Sequence, residues 1–404
     1  MADPIDTETS APHLGRVMAM SILITAASVQ GVLLLGAGIG DVGPELGIGP
    51  SELGILTALF FISSSVTSGP AGRVVARIGW QTAVRFNAAA IGVLLLGIAG
   101  FARSTIVLGA ILVVMGAVYG LANPAVNQAL ADHVDPHHRG LLFGLKHAGI
   151  PTSTLFAGGA VPVIILNYGW RWAFVVGAVV AFSLLLIVPT GGFEPSAQHL
   201  DEDPRRTVEP LRPETLRWLA AAGLLGTVSV VGLSTFLVAS LVDDGFGEAT
   251  AGWIQFGGAL FSIVARVAYG LAADRFGLRG FATVAALLGV GGLVFLAFVP
   301  AGGWTFAFLV GAGFATAWGW PGLFTYSVVN ANTTTAAASS ATAYAGVFAG
   351  AALGPIVVGE IIDRASFEAS WIFIGVCLLV SSAATFWVSR QVISRNVDDV
   401  PSTT

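Results

Sequence analysis

Apolar positions along this chain come in continuous runs of about twenty residues, separated by short polar breaks. Twelve runs can be marked, at roughly 17–40, 51–71, 82–101, 104–130, 140–166, 170–190, 215–242, 249–272, 280–300, 304–330, 337–362 and 369–390. At about 1.5 Å per residue, each helix reaches across the ~30 Å hydrocarbon core of a bilayer. The longer ones tilt or end outside the lipid. The pattern predicts an all-α membrane protein with twelve transmembrane helices. A β-barrel would show alternating segments of about ten residues instead.

Only one polar interval is long. Residues 191–214 hold Glu194, Asp201, Glu202, Asp203, Arg205 and Arg206 together with four prolines, a linker composition. It divides the chain into a tail (1–16), six helices (17–190), a linker (191–214), six helices (215–392) and a second tail (393–404). Lys and Arg gather on the cytoplasmic side of membrane proteins. With both termini inside, 13 of the 18 Lys and Arg fall on that side, among them Arg73, Arg77, Arg205 and Arg275. Arg103, Arg171 and Arg364 fall outside, and Lys146 and Arg266 lie within the spans. The polar start, Met1 to Gly15, lacks the basic opening of a cleavable signal and reads as a cytoplasmic tail.

The two halves carry matching landmarks. Gly72 and Gly270 are 198 positions apart, Pro124 and Pro321 are 197 apart, and Pro162 and Pro355 are 193 apart. Three landmarks at nearly one offset predict a duplicated six-helix unit, and parallel repeats about the membrane normal are one way transporters are built.

Composition agrees with the pattern. The chain has 404 residues, 55% hydrophobic and 10% charged, against about 25% charged in a soluble domain. Mean hydropathy is +0.83. A net charge of −5 gives no reason to expect nucleic acid. Cys377 is the only cysteine, which excludes an intrachain disulfide and a thiolate cluster. No Gly-rich loop ends in Gly-Lys-Ser/Thr, so no ATP site is indicated and no cofactor is expected. His133, His137 and His138 share a loop and read as solvated, with no metal expected.

Gly270-Leu-Ala-Ala-Asp274-Arg275-Phe-Gly277 breaks abruptly out of the eighth run. Gly72-Arg73-Val-Val-Ala76-Arg77-Ile-Gly79 is a weaker copy after the second. Both phrases resemble the loop signature of the major facilitator superfamily. With the helix count, linker and repeat offset, the resemblance covers nearly the whole chain. It implies two pseudo-symmetric six-helix bundles and transport by alternating access, with these phrases forming a cytoplasmic gate. The first copy departs from the family pattern, with Ala76 where the family has an acid. Asn123 through Pro151, including Asn127, Asp132, Arg139, Lys146 and His147, resembles bacterial members that carry small organic solutes, implying the bacterial inner membrane. Ser262-Ile-Val-Ala-Arg266 is similar to the eighth helix of monocarboxylate transporters. There an acid stands four residues before the arginine; here that position is Ser262.

Ionisable groups inside the runs are informative because each costs about 2.5–3.5 kcal/mol at a helix centre without water or a partner. Lys146 and Arg266 each lie about six residues, or ~9 Å, from a cytoplasmic helix end. One reading is a cationic pair in a central cavity that binds a carboxylate, which suits the planar fork of arginine. The other has Lys146 snorkelling to the interface and Arg266 capping carbonyls at the end of its own helix. His147, of the one residue type with an ordinary pKa near neutrality, is a candidate proton carrier or a packing histidine. It points about 100° from Lys146 on a helix, so one of the two at most should face the cavity squarely. Gln30, Asn123, Asn127, Gln255 and Tyr344 are mid-membrane hydrogen-bonders that face solute or a neighbouring helix. Asp132 and Arg139 are candidate gate partners. Trp318, Trp320 and Pro321 mark packing, a kink or an aromatic cavity wall.

The expected function is secondary active transport of a small, carboxylate-like organic anion, with proton symport as an added element, by a monomer in the bilayer. An exporter of neutral or cationic hydrophobic compounds is the alternative, though such carriers want a buried acid in the first half. An intramembrane enzyme would want paired acids or a His–Glu metal set, and neither is present.

Overall fold

The computed structural model describes residues 11–131, 144–188, 211–276, 280–331 and 336–398. Twelve helices are long and apolar enough to cross a membrane. They are α1 Gly15–Ala37, α2 Pro50–Ile78, α3 Trp80–Phe101, α4 Thr105–Leu130, α5 Gly144–Tyr168 and α6 Trp170–Ile187, then α7 Pro213–Asp243, α8 Glu248–Phe276, α9 Gly280–Phe298, α10 Gly303–Asn330, α11 Ala341–Arg364 and α12 Phe367–Val392. No strand occurs among the described residues. Helices solve the problem lipid poses, since every backbone N–H and C=O finds its partner within the segment. An even number of spans puts both chain ends on one side, here called the termini side.

The packing repeats itself. α1 packs on α5 as α7 packs on α11, α2 on α4 as α8 on α10, and α3 on α6 as α9 on α12. The result is two pseudo-symmetric six-helix bundles. Across the divide α1 meets α7, α2 meets α11, and α5 meets α8. α1 and α7 form the centre, with 72% and 83% of their apolar stretches buried against 33–56% for the others.

Glycine sets how closely the helices approach. Within the second bundle, a β-carbon at Gly346 or Gly350 would collide with the carbonyl oxygens of Ala220 and Leu224 on α7. Between bundles, one at Gly54 would collide with the Pro355 carbonyl, and one at Gly359 with the Pro50 carbonyl. These last two contacts lie on the side away from the termini. There the Ser51 hydroxyl donates to Glu360 at 3.0 Å and the Ser51 N–H to Asp363 at 2.9 Å. Also on that far side, Arg171 grips Glu45 and holds its carboxyl below the usual carboxylate range, with the indole N–H of Trp170 assisting.

Proline marks breaks in two helices that line the divide, α5 and α10. Pro162 opens a π-turn over Val161–Ile165 in α5. Residues 316–319 leave α-helical geometry in α10, just before Pro321. Pro321 carries no N–H for the Ala317 carbonyl, which the Ser229 hydroxyl approaches at 3.5 Å. A turn at Ala148 interrupts the start of α5, three residues before Pro151.

Candidate functional site

A cavity of about 130 Å³ lies between the bundles, lined by residues of both. Its polar wall is Asn123 on α4, Lys146 and His147 on α5, Arg266 on α8 and Tyr344 on α11. α1 and α7 contribute valines, among them Val29, Val32 and Val231, interspersed with hydroxyls, among them Thr25, Thr227 and Ser234. No Asp or Glu is among the lining residues.

Arg266 is 2% exposed, and its fork joins the two bundles. One Nη1–H donates to the His147 carbonyl at 2.7 Å, and an Nη2–H donates to the Trp318 carbonyl. Nε–H reaches the Ser262 hydroxyl at 3.3 Å. The first acceptor is free for a reason written four residues on: Pro151 has no N–H to offer the His147 carbonyl. The second belongs to the broken stretch of α10, whose Trp318 indole N–H donates to the Val230 carbonyl at 2.6 Å. Arg266 therefore does cap carbonyls, but those of α5 and α10 rather than of its own helix. Three of its five donors are used, and one N–H on each Nη remains. α8 runs on to Phe276, so Arg266 stands ten residues from the helix end rather than six.

His147 is held by its ring as well as by its carbonyl. Its Nε2 lies 3.1 Å from the Thr325 hydroxyl on α10 and 3.3 Å from the Tyr344 hydroxyl on α11. Tyr344 and Thr325 hydrogen-bond to each other, and Thr325 donates to the Pro321 carbonyl at 2.9 Å. Side chain and carbonyl of this one residue of the first bundle thus touch three helices of the second.

Lys146 and His147 both line the cavity, although a regular helix would turn them about 100° apart; the turn at Ala148 breaks that regularity. Lys146 has no hydrogen-bond or ion-pair partner among the described residues. Asn123 faces the cavity from α4. Asn127, one turn on, is exposed. Gln30 lies outside the lining and accepts from Ser153 at 2.8 Å, while its Nε2 stays unpaired. Gln255 is fully buried on α8 beside Gly158 of α5, with neither amide atom bonded.

The two loop phrases flank the termini side. Gly72, Arg73 and Arg77 are exposed at the end of α2, and Gly79 turns the chain into α3 with φ +80°, which favours glycine. Gly270 packs against Gly144 of α5, and Asp274 and Arg275 are exposed, Arg275 lying over the Phe276 ring. Asp132, Arg139, Gly277 and the histidines 133, 137 and 138 lie outside the described residues.

Sequence reasoning missed Thr325, the bridge between His147 and Tyr344, and most of the aromatic lining: Phe61, Tyr119, Phe324 and Phe348. A signal for the last two existed. Trp320/Phe324 and Tyr344/Phe348 are i, i+4 pairs, each bringing two rings together on one helix face. Trp320 is in the cavity wall, and its indole N–H has no acceptor.

A comparison with curated proteins returns no match. The family model described as Major Facilitator Superfamily matches residues 18–243, more than half of the 404. That span covers the first bundle and α7, and the remaining five helices repeat the packing of their counterparts. The chain belongs to the major facilitator superfamily and is a multi-pass membrane transporter.

Proposed function

We propose that the protein is a secondary active carrier of a small carboxylate-like anion, working by alternating access in a bacterial inner membrane with both termini cytoplasmic. The observation that carries this reading is charge: Lys146 and Arg266 line a cavity that has no acid among its described lining residues. Positive charge away from water is costly unless an anion meets it. The Lys146 ammonium has no partner to displace among the described residues, and the two remaining N–H groups of Arg266 can present a fork to a carboxylate. An exporter of cationic compounds would need the opposite sign of charge at this place.

Residues 17–190 and 215–392 act as the two moving bodies, with 1–16, 191–214 and 393–404 as cytoplasmic tail, linker and tail, and a monomer suffices for the cycle. The far side is held shut at Gly54 and Gly359, so the exchange of states requires those contacts to part. The ties of His147 to Thr325, Tyr344 and Arg266 lie nearer the termini, and they must loosen when the bundles rock about the cavity. Protonation of His147 would repel Lys146 and Arg266 in the same wall, which makes it the candidate coupling group for protons. The exposed arginines at the ends of α2 and α8 serve as the termini-side gate.

The test is thermal stabilisation of the purified chain by matched ligands. A carboxylate is expected to raise Tm in proportion to the logarithm of its concentration above Kd, and its uncharged amide to do so far less. Equal stabilisation by acid and amide would remove the anion assignment.

A further inference from the structure

We propose that the organic acid taken by this cavity carries an aromatic ring: the substrate class is a single-ring aromatic monocarboxylate. This rests on the anion reading above and adds what the rest of the cavity selects. Six aromatic side chains line it: Phe61, Tyr119, Trp320, Phe324, Tyr344 and Phe348. Four of them form a continuous run on the second bundle. Trp320 and Phe324 meet edge to face at 5.3 Å, Phe324 and Tyr344 are 6.5 Å apart, and Tyr344 and Phe348 are 6.3 Å apart. Phe61 and Tyr119 belong to the first bundle, so a ring in the cavity has aromatic faces and edges on both sides.

The cations and the rings are separated by depth. Tyr344 is level with His147, to which it bonds. Phe348 is one helical turn deeper, about 6 Å, and Tyr119 is one turn deeper than Asn123. Around and beyond them α1 and α7 present Val29, Val32 and Val231 together with the neutral hydroxyls of Ser234 and Thr235. A ligand that satisfies this gradient holds its charge at Lys146 and Arg266 and its apolar body among the rings. A dicarboxylate would bury its second charge among valines and neutral hydroxyls, away from the two cations. A short aliphatic acid would satisfy the cations and leave the rings facing a void. The volume of about 130 Å³ is small beside the roughly 300–1,000 Å³ of clefts that hold drug-sized ligands, which limits the body to one ring.

Binding of benzoate, lactate, succinate and benzamide to the full chain in detergent separates the possibilities. Benzoate is expected to bind at least about tenfold more tightly than lactate or succinate, since each ring contact contributes roughly 2- to 10-fold. Phe348→Ala should weaken benzoate about 5- to 10-fold and lactate by a clearly smaller factor, with Phe348→Leu giving an intermediate loss for benzoate if the alanine variant does not fold. Benzoate no tighter than lactate would overturn the ring assignment and leave the anion reading standing. Benzamide equal to benzoate would overturn the anion reading, and this proposal with it. Absence of benzoate binding at millimolar concentration also overturns the proposal.

Discussion

Arg266 and Lys146 look alike in the sequence, as two cations in apolar runs, and the structure gives them different work. Arg266 ties two carbonyls on opposite bundles, so removing it orphans both acceptors. Arg266→Gln is expected to lower stability by about 2–4 kcal/mol, the range for leaving buried groups unpaired. Lys146→Met removes a cation without a partner and should leave Tm unchanged or raised. Thermal unfolding of both variants without ligand checks this, and the reverse order would contradict the assignment of roles. The presence of both cations was legible from their rarity in the runs. The acceptors of Arg266 were less so, because they are backbone carbonyls. Only one of them, at His147, is marked by a proline four residues later. Ser262 could be read as the place where related helices hold an acid, and its hydroxyl indeed meets Arg266. The isolation of Gln255 and the exposure of Asn127 depend on which way a helix face turns, and an apolar run of twenty residues does not encode that.

At the scale of elements, the decisive features are the seams. α2 and α11 close on each other through Gly54 and Gly359, where backbone meets backbone. Gly54→Val would overpack this seam by about 1–3 kcal/mol, shifting the balance toward a far-side-open state roughly 5- to 150-fold. A cysteine placed at Ser51, in a Cys377→Ser background, reads the shift through its rate of reaction with an impermeant maleimide. Faster labelling in Gly54→Val is expected, and an unchanged rate would show that this contact does not hold the seam. Helix number and type were plain from the runs, since lipid demands continuous apolar helices. Which glycines lie at seams was not, because 52 of them are spread over all helices and only packing separates the few in contact. The breaks in α5 and α10 that Arg266 uses lie beside Pro151 and Pro321. Their use, freeing carbonyls toward the divide, emerges only when a cation from a third helix arrives there.

Across the whole molecule, duplication is the governing fact. Near-constant offsets between prolines and glycines in the two halves forecast a repeated unit, and the equivalent helix pairs of the two bundles pack alike. The contents of the space between the bundles broke the symmetry. Lys146 and Arg266 come from different halves, and the aromatic run belongs to the second half alone, so no repeat pattern could announce the cavity's chemistry. Flux of a labelled monocarboxylate into proteoliposomes by wild type, Lys146→Met and Lys146→Arg tests the central claim most directly. The account predicts transport by wild type, partial transport by Lys146→Arg, and a loss of about 10- to 100-fold in apparent affinity for Lys146→Met, as expected for one charge-assisted hydrogen bond. Carboxylate flux that is unchanged in Lys146→Met would contradict it.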